Sequence, residues 1–532
     1  MNIRTIILLT LICAVSVFLN VAKKESVPAC MNADEAAFGY NAYSIAKTGK
    51  DEYGTTVPLR LKSFGDYQMP LYSYLSVPFV ATLGLTETST RALNMVLAFA
   101  LPLAVFFLSM ELFKNESIAL VSSGLVATSL GLAVIGRQAH EGYLAVFLVV
   151  TTCILFQRWL RLKNKLSFGL LVLSLSLMLF SYQSARIFAI FFFLFAGWEV
   201  IRKRLPVAHL MALLAALIIL AIPDFVYAPA RVSNLLFFKN PGLALKTQEF
   251  RTEGGNKLLY NKYTVAATQF LGQHLMYYSP DFLTTRGDQN YRFGMSDMPP
   301  VTYIEYLFFI VGLYFLIRKK DANLRFLGGL LIITPLAGSL TWAGASITRT
   351  LFILPLLSVF AGYGFIECLK QIPKKHRSNA TGAFGILFLL FLFYGWNFYL
   401  NHYNKRNTVI TAQQCGYREL GQIIKSDYTS TDHFYISKEN GEPYIFTLFY
   451  LGYDPVTYQK QARLSAPDQY GFGQVESYDK FTFTIPQTIP PNSIVVGTPE
   501  DFKNHESLLK ADHKKIRVIK TGIHEDFWVY KP

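Results

Sequence analysis

Apolar residues in this chain run in long blocks, near 3–22, 89–111, 118–136, 142–158, 167–183, 186–201, 207–227, 303–317, 326–342, 349–368 and 383–400. Such blocks approach the roughly 17–25 residues that a helix needs to cross about 30 Å of hydrocarbon. The pattern predicts an all-α polytopic membrane domain of about eleven transmembrane helices over residues 1–400. A further apolar stretch from Pro70 to Leu85, interrupted by Pro78 and Gly84, reads as an interfacial helix. Beyond Leu400 the rhythm changes. Tyr417 to Ile424 has helical spacing, while Asp432 to Ile436, Ser493 to Val496, Lys515 to Lys520 and Phe527 to Tyr530 read as strands. Residues 401–532 are therefore expected to form a C-terminal mixed α/β domain outside the membrane.

Composition supports that division. Hydrophobic residues make up 52% of the 532 and charged ones 16%, with a mean hydropathy of +0.30, far from the roughly one-quarter charged residues of an average soluble domain. The net charge of +15 does not point to nucleic acid, because residues 401–532 balance 15 basic against 15 acidic side chains. The surplus sits in the loops between apolar blocks, where it sets orientation. Lys114, the groups Arg158–Lys165, Arg202–Arg204, Arg318–Arg325 and Lys370–Arg377 fall in one alternating set of loops, which marks that set as cytoplasmic. The N-terminus is then cytoplasmic. The loops 22–88 and 228–302 and the C-terminal domain are extracytoplasmic in a multi-pass protein of the cell membrane. No small-x-small cleavage site precedes Lys23 and Lys24, so the first block is expected to remain as a span. Cys13, Cys30, Cys153, Cys368 and Cys415 are odd in number and scattered, which suggests neither a disulfide framework nor a zinc site.

The chemistry-bearing residues gather in the outer loops. Asp34 and Glu35 stand side by side just before an apparent helix, where Asp34 could serve as its cap and Glu35 could favour its dipole. Partners for a catalytic role are close at hand in Arg137, His140 and Glu141, in Tyr182 and Arg186, in the long loop with His274, Arg286, Asp288 and Arg292, and in Arg349. Short outer loops usually lack arginine, so Arg137, Arg186 and Arg349 run against the trend. Snorkelling to lipid phosphates explains them, as does a set of fixed cations for a phosphate arriving from the bilayer. The spans carry no ionisable relay at mid-depth of the kind that a transporter or flippase requires.

The Asp34-Glu35 pair, the stretch Gly65-Asp66-Tyr67-Gln68-Met69-Pro70-Leu71-Tyr72, Arg91 and the turn Arg137 to Glu141 resemble, in that order, the GT-C superfamily of membrane glycosyltransferases. Within it the chain is similar to the dolichyl-phosphate-mannose protein mannosyltransferase and aminoarabinose transferase type. Tyr278-Ser279-Pro280-Asp281, Gly287-Asp288 and the segment from Gly416 to Leu420 resemble bacterial members. The resemblance implies an inverting transfer of a sugar from a polyprenyl-phosphate carrier to a hydroxyl acceptor, with Asp34 as general base, Glu35 beside it and Glu141 as the second acidic position. It implies substrate contacts from Lys62, Asp66, Gln68, Arg137, His140, Tyr182, Arg186, His274 and Arg349. Relatives often have Lys-Pro where this chain has Gln68-Met69-Pro70, so a phosphate contact must come from elsewhere, and Lys62, Arg137, Arg186 and Arg349 are the candidates. No cofactor is required. A divalent metal bridging Asp34 and Glu141 is compatible with these residues, but an acidic phosphate leaving group flanked by arginines does not demand one. The competing readings are a lipid or glycan flippase and a non-catalytic envelope assembly protein.

Overall fold

Asparagine punctuates the helices. Asn2, Asn32, Asn115 and Asn164 each sit in extended backbone and accept a backbone N–H from the residue three positions on, satisfying a donor that the first helical turn leaves unpaired. They open α1 (Ile3–Val21), α2 (Ala33–Thr48), α5 (Glu116–Thr128) and α8 (Lys165–Leu179). Between them lie α3 (Leu71–Leu83), α4 (Glu87–Phe113), α6 (Leu130–Gly136) and α7 (Glu141–Leu162), followed by α9 (Arg186–Ile201) and α10 (Val207–Val226). This computed structural model describes residues 1–64, 66–226, 241–341, 344–466, 473–509 and 511–532, without the side chains of Asp66, Asp224, Phe225, Val226, Pro241 and His513. The part of the expected outer loop at 228–240 thus lies outside the described residues.

Two units divide the chain. The apolar unit comprises Met1–Ala22, Met95–Gly136 and Glu141–Asn397; the mixed unit comprises Lys23–Asn94, Arg137–His140 and Phe398–Pro532. Among the described residues, six helices are long and apolar enough to cross a membrane: Ile3–Val21, Glu87–Phe113, Glu141–Leu162, Gln183–Ile201, Ile353–Gln371 and Lys374–Lys405. A seventh is added if α5 and α6, bent by 54° at Ser129, count as one broken span. The expected count of about eleven is larger than the number that pass on length and apolarity. Lys165–Leu179, Val207–Pro223 and Leu324–Ser339 are shorter apolar helices, the second continuing to Val226 as the 20-residue α10. Close packing in this unit depends on glycine. A Cβ on Gly312 would lie 2.1 Å from the Phe360 carbonyl oxygen, and one on Gly364 2.1 Å from that of Phe308. The helices Tyr303–Arg318 and Ile353–Gln371 therefore touch backbone to backbone, the close approach that small residues allow between membrane helices.

The mixed unit contains a seven-stranded sheet in the order β4-β5-β6-β3-β7-β9-β8, with β4 (Arg463–Leu464) and β5 (Val475–Tyr478) at one edge. Its central strand β3 (His433–Ile436) runs parallel to β6 (Phe481–Thr482) and β7 (Ser493–Gly497), while β8 (Ile516–Thr521) and β9 (His524–Tyr530) pair antiparallel at one edge. Its helices include Tyr417–Asp427 and Pro443–Leu451. The core is shared with the N-terminal loop: Ala36, Ala37 and Tyr40 of α2 pack in one cluster with Phe434, Phe446, Phe449 and Ile494. A disulfide joins Cys30 to Cys415 across 385 residues of sequence. Two expectations change accordingly. The tail does not stand apart at residue 401 but shares a core with 23–94, and two of the scattered cysteines are bonded. Sequence spacing could not show the pairing, because only folding brings such distant positions together.

Candidate active site

The first turn of α2 assigns different work to its two acids. Asn32, not Asp34, is the cap; its side chain accepts from the Glu35 N–H while Glu35 Oε1 accepts from the Asn32 N–H, closing a capping box. Glu35 is 1% exposed, and its carboxylate takes Arg91 Nε at 2.7 Å and Nη2 at 2.9 Å, as well as the Ala139 N–H at 2.7 Å. Glu35, a catalytic candidate from the sequence, is paired with a bidentate guanidinium that braces the turn. Asp34 is the one residue from Met31 to Ala42 that is not buried. Its Oδ1 accepts from Gln68 Nε2 at 3.1 Å. Gln68 ends β2 (Asp66–Gln68), paired antiparallel with Leu61 of β1 (Leu61–Ser63). The Asp66 side chain lies outside the described residues.

Four residues, Arg137 to His140, belong to the mixed unit although the helices on either side do not. They are pinned by the N-terminal loop and by α4: Arg137 Nη2 donates to the Val27 carbonyl at 2.8 Å, Asn32 Nδ2 to Gln138 Oε1 at 3.0 Å, and Asn94 Nδ2 of α4 to the Gln138 carbonyl at 2.6 Å. Arg137 is buried and lies 5.9 Å from the centre of the Tyr399 ring. The His140 imidazole is also buried, and loss of hydration pushes its pKa down to about 4, leaving it neutral near pH 7. Lys62 Nζ sits 4.9 Å over the Tyr53 ring. Beside it Glu52 is buried against Tyr444 and Asn41.

In the apolar unit Glu141 opens α7. Tyr182 and Arg349 line one cleft of about 280 Å³ together with Gly142, Val146, Ser184 and Thr348. Arg186 starts α9 and His274 lies on the helix Lys262–Met276, 3.3 Å through Nδ1 from Ser339 Oγ; neither lines that cleft. Arg349 Nη1 donates to Thr341 Oγ1 at 3.0 Å. The turn that carries it is held by Asp288, whose Oδ2 accepts the Ile347 N–H at 2.7 Å and the Ser346 hydroxyl at 3.0 Å. Burial raises the Asp288 pKa, opposed by these hydrogen bonds and by the Arg349 charge. The sequence placed Asp288 among the loop charges and in the Gly287-Asp288 segment, without a role. Its partner is 59 residues away, and no local pattern marks it. Among the described residues no group of three or more His, Cys, Asp or Glu is placed to hold a metal ion.

No protein-family model matches the chain, and no curated protein matches it in sequence. Solved structures do match its fold. ArnT from Cupriavidus metallidurans bound to undecaprenyl phosphate superposes with a TM-score of 0.55 at 9% identity, covering 99% of this chain and 98% of that one; its apo state gives 0.52 at 11%, covering 98% and 97%. The archaeal oligosaccharyltransferase AglB from Archaeoglobus fulgidus, in complex with an inhibitory peptide and a dolichol-phosphate, gives 0.50 at 13% and covers 84% of this chain. The chain spans 64% of the length of that oligosaccharyltransferase. A further structure of the archaeal enzyme is a complex with Zn and sulfate. The fold is shared with these ArnT and AglB structures, and with its apolar helices the chain is an integral membrane protein.

Proposed function

We propose that this chain is an inverting glycosyltransferase that moves a sugar from a polyprenyl-phosphate carrier to a hydroxyl acceptor on the outer face of the membrane. The observation that carries the reading is the contrast within the first turn of α2: the cap is Asn32, Glu35 is locked to Arg91, and Asp34 alone keeps access to solvent. A half-buried carboxylate that accepts from Gln68 at the head of α2, on a fold also found in a protein solved with undecaprenyl phosphate, suits a general base. In the proposed step the acceptor oxygen attacks the anomeric carbon and its proton passes to Asp34. The bond from that carbon to the phosphate oxygen breaks, its electron pair leaves with polyprenyl phosphate, and attack opposite the leaving group inverts the carbon. The leaving phosphate is already a weak base, so cationic stabilisation serves it better than a strong acid. Arg349 with Tyr182 is assigned to that phosphate, and Arg186 is kept as a second cation. Arg137 is assigned instead to anchoring its turn, because it is buried on the Val27 carbonyl. No step is routed through a metal.

The disulfide supports the orientation. Bonds such as Cys30–Cys415 persist in oxidising compartments and are rare in the cytosol, which favours an extracytoplasmic place for the segments 23–94 and 398–532. The test is to incubate membranes bearing the chain with a panel of radiolabelled polyprenyl-phosphate sugars. Label is expected to leave one carrier in wild type and to stay on it with Asp34→Asn. Label that leaves equally fast with Asp34→Asn overturns the assignment of the base; label that leaves no carrier in wild type overturns the function. Which sugar and which acceptor are used, whether protein, lipid or glycan, is read from the same panel.

A further inference from the structure

Two helices of the long loop between α10 and the helix Tyr303–Arg318 have opposite surfaces. On Pro241–Thr252 the exposed positions include Lys246, Gln248, Glu249 and Arg251, with Leu245 the one large apolar side chain among them. On Lys262–Met276 the arrangement is inverted. Val265 and Ala266 are buried, and the hydrogen-bonding residues Gln273 and His274 turn toward the protein: Gln273 Nε2 donates to the carbonyls of Gly338 and Thr341 at 3.1 and 3.0 Å, and His274 contacts Ser339. The outward face, at helical spacing, is Tyr263, Ala267, Leu271 and Leu275, with Tyr263 83%, Leu271 55% and Leu275 65% exposed. No Lys, Arg, Asp or Glu occurs from Tyr263 to Pro280. Apart from Lys262 at its start and the hydroxyls of Thr264 and Thr268, the exposed positions of this helix are Tyr263, Ala267, Leu271, Gly272, Leu275 and Met276, and so long an uncharged apolar row is the reverse of a face bathed in water.

We infer that the outward face of Lys262–Met276 is a lipid-contact surface that seats this loop in one leaflet of the bilayer. Continuity with the membrane-facing surface of the apolar unit identifies the occupant as lipid. The end of the helix is tied to apolar helices, because Tyr306 of Tyr303–Arg318 donates to the Tyr278 carbonyl at 2.9 Å and Tyr278 Oη hydrogen-bonds the Leu331 carbonyl within Leu324–Ile333. Those helices expose Tyr303, Leu307, Ile310 and Ile332 outward in turn. The charges agree: Lys257 and Lys262 precede the apolar row beside exposed Tyr260 and Tyr263, the pairing of cations and tyrosine that marks a membrane–water boundary. At 15 residues the helix spans about 22 Å and cannot cross, so it lies in or dips into a leaflet. Since Gln273 and His274 hold residues 338–341, and Thr341 holds Arg349, the lipid contact also sets the depth of that arginine. This last consequence alone rests on the proposed function.

The test uses the full chain with Cys13, Cys153 and Cys368 replaced by serine and the disulfide kept. Nitroxide labels are introduced at Ala267→Cys, Leu271→Cys and Leu275→Cys, with Gln248→Cys and Glu249→Cys as water-side references, in vesicles of phosphatidylcholine and phosphatidylglycerol. Collisions with dissolved oxygen are expected to exceed those with a water-soluble nickel complex several-fold at 267, 271 and 275, and the ratio to reverse at 248 and 249. Nickel access at 271 and 275 equal to that at 248 overturns the inference in favour of an aqueous loop. Labels at 271 and 275 reached by neither collider overturn it in favour of a protein partner or a second copy. The measurement needs no turnover, so it stands or falls separately from the transferase reading.

Discussion

The two ends of α2 each bury a carboxylate and treat it differently. At the N-terminal end Glu35 is matched by Arg91 through two short hydrogen bonds and by a backbone N–H. Just past the C-terminal end Glu52 is equally hidden, but its partners are neutral: Tyr444 Oη at 3.1 Å and Asn41 Nδ2 at 3.4 Å. Among the described residues no ion pair joins it. Burial pushes the Glu52 carboxyl from the usual 4.5 up to about 8, only partly offset by the tyrosine hydrogen bonds and the charge of Lys62. The lesson concerns compensation, since burial without a cationic partner is what drives the Glu52 carboxyl upward. With Glu35 fixed in this way, the half-buried Asp34 beside it sits at the head of a braced turn.

The largest effect is expected from removing the cation. Arg91→Leu leaves Glu35 buried without its partner, and breaking a buried pair on one side costs about 3–5 kcal/mol; unfolding in nanodiscs should show a loss of that order. The double variant Arg91→Leu with Glu35→Leu should recover much of it, and no recovery would mean that the pair is not the unit holding this turn.

Next comes the separation of the two neighbouring acids. Asp34→Asn should lower turnover by about a hundredfold, the scale for losing a positioned base, with stability nearly unchanged because the cap belongs to Asn32. Glu35→Gln should do the reverse, lowering stability through Arg91 while the surviving folded protein turns over. Measuring both quantities on both variants checks the division, and the opposite pattern would exchange the roles.

Glu52 gives a smaller, pH-dependent effect. The unfolded carboxyl titrates near 4.5 and the folded one near 8, so the folded state holds a proton that the unfolded state has released. The stability from this group is fully present below about 4.5 and is lost as the pH rises through 8, with a slope of up to about 1.4 kcal/mol per pH unit. Glu52→Gln should remove that slope between pH 5 and 8. Parallel stability profiles for variant and wild type would show that Glu52 is charged in the fold after all.

What the chain disclosed in advance follows the range of the interaction. The strands β3, β7, β8 and β9 and the helix Tyr417–Asp427 fall within a few residues of their predicted places, because alternation and helical spacing are local. The apolar blocks are helices too, yet length and apolarity admit six or seven as spans; the blocks held Pro, Gly and turn residues that shorten the helices they contain. The Asp34-Glu35 pair was visible as a pair, but its assignment of duties was not. Arg91 is 56 positions from Glu35, Cys415 is 385 from Cys30, and Asp288 is 59 from Ile347. Each link exists only once the chain has folded.

The smallest effect lies at the C-terminal end of α2 and concerns backbone alone. Gly49 terminates the helix at φ +70°, with its N–H donated to the Ile45 carbonyl at 2.9 Å. No atom lies within 4 Å of where a Cβ would sit, so a side chain there meets no clash and pays only for the left-handed conformation. Gly49→Ala should therefore cost about 1 kcal/mol, and Gly49→Asn less, because Asn tolerates that conformation better. Neither should change turnover, since Asp34 is held from the other end of the helix by Asn32, Glu35 and Arg91. A fall in turnover with Gly49→Ala at full occupancy of the folded state would show that the two ends are not independent, and that the turn carrying Glu52 helps to place the proposed base.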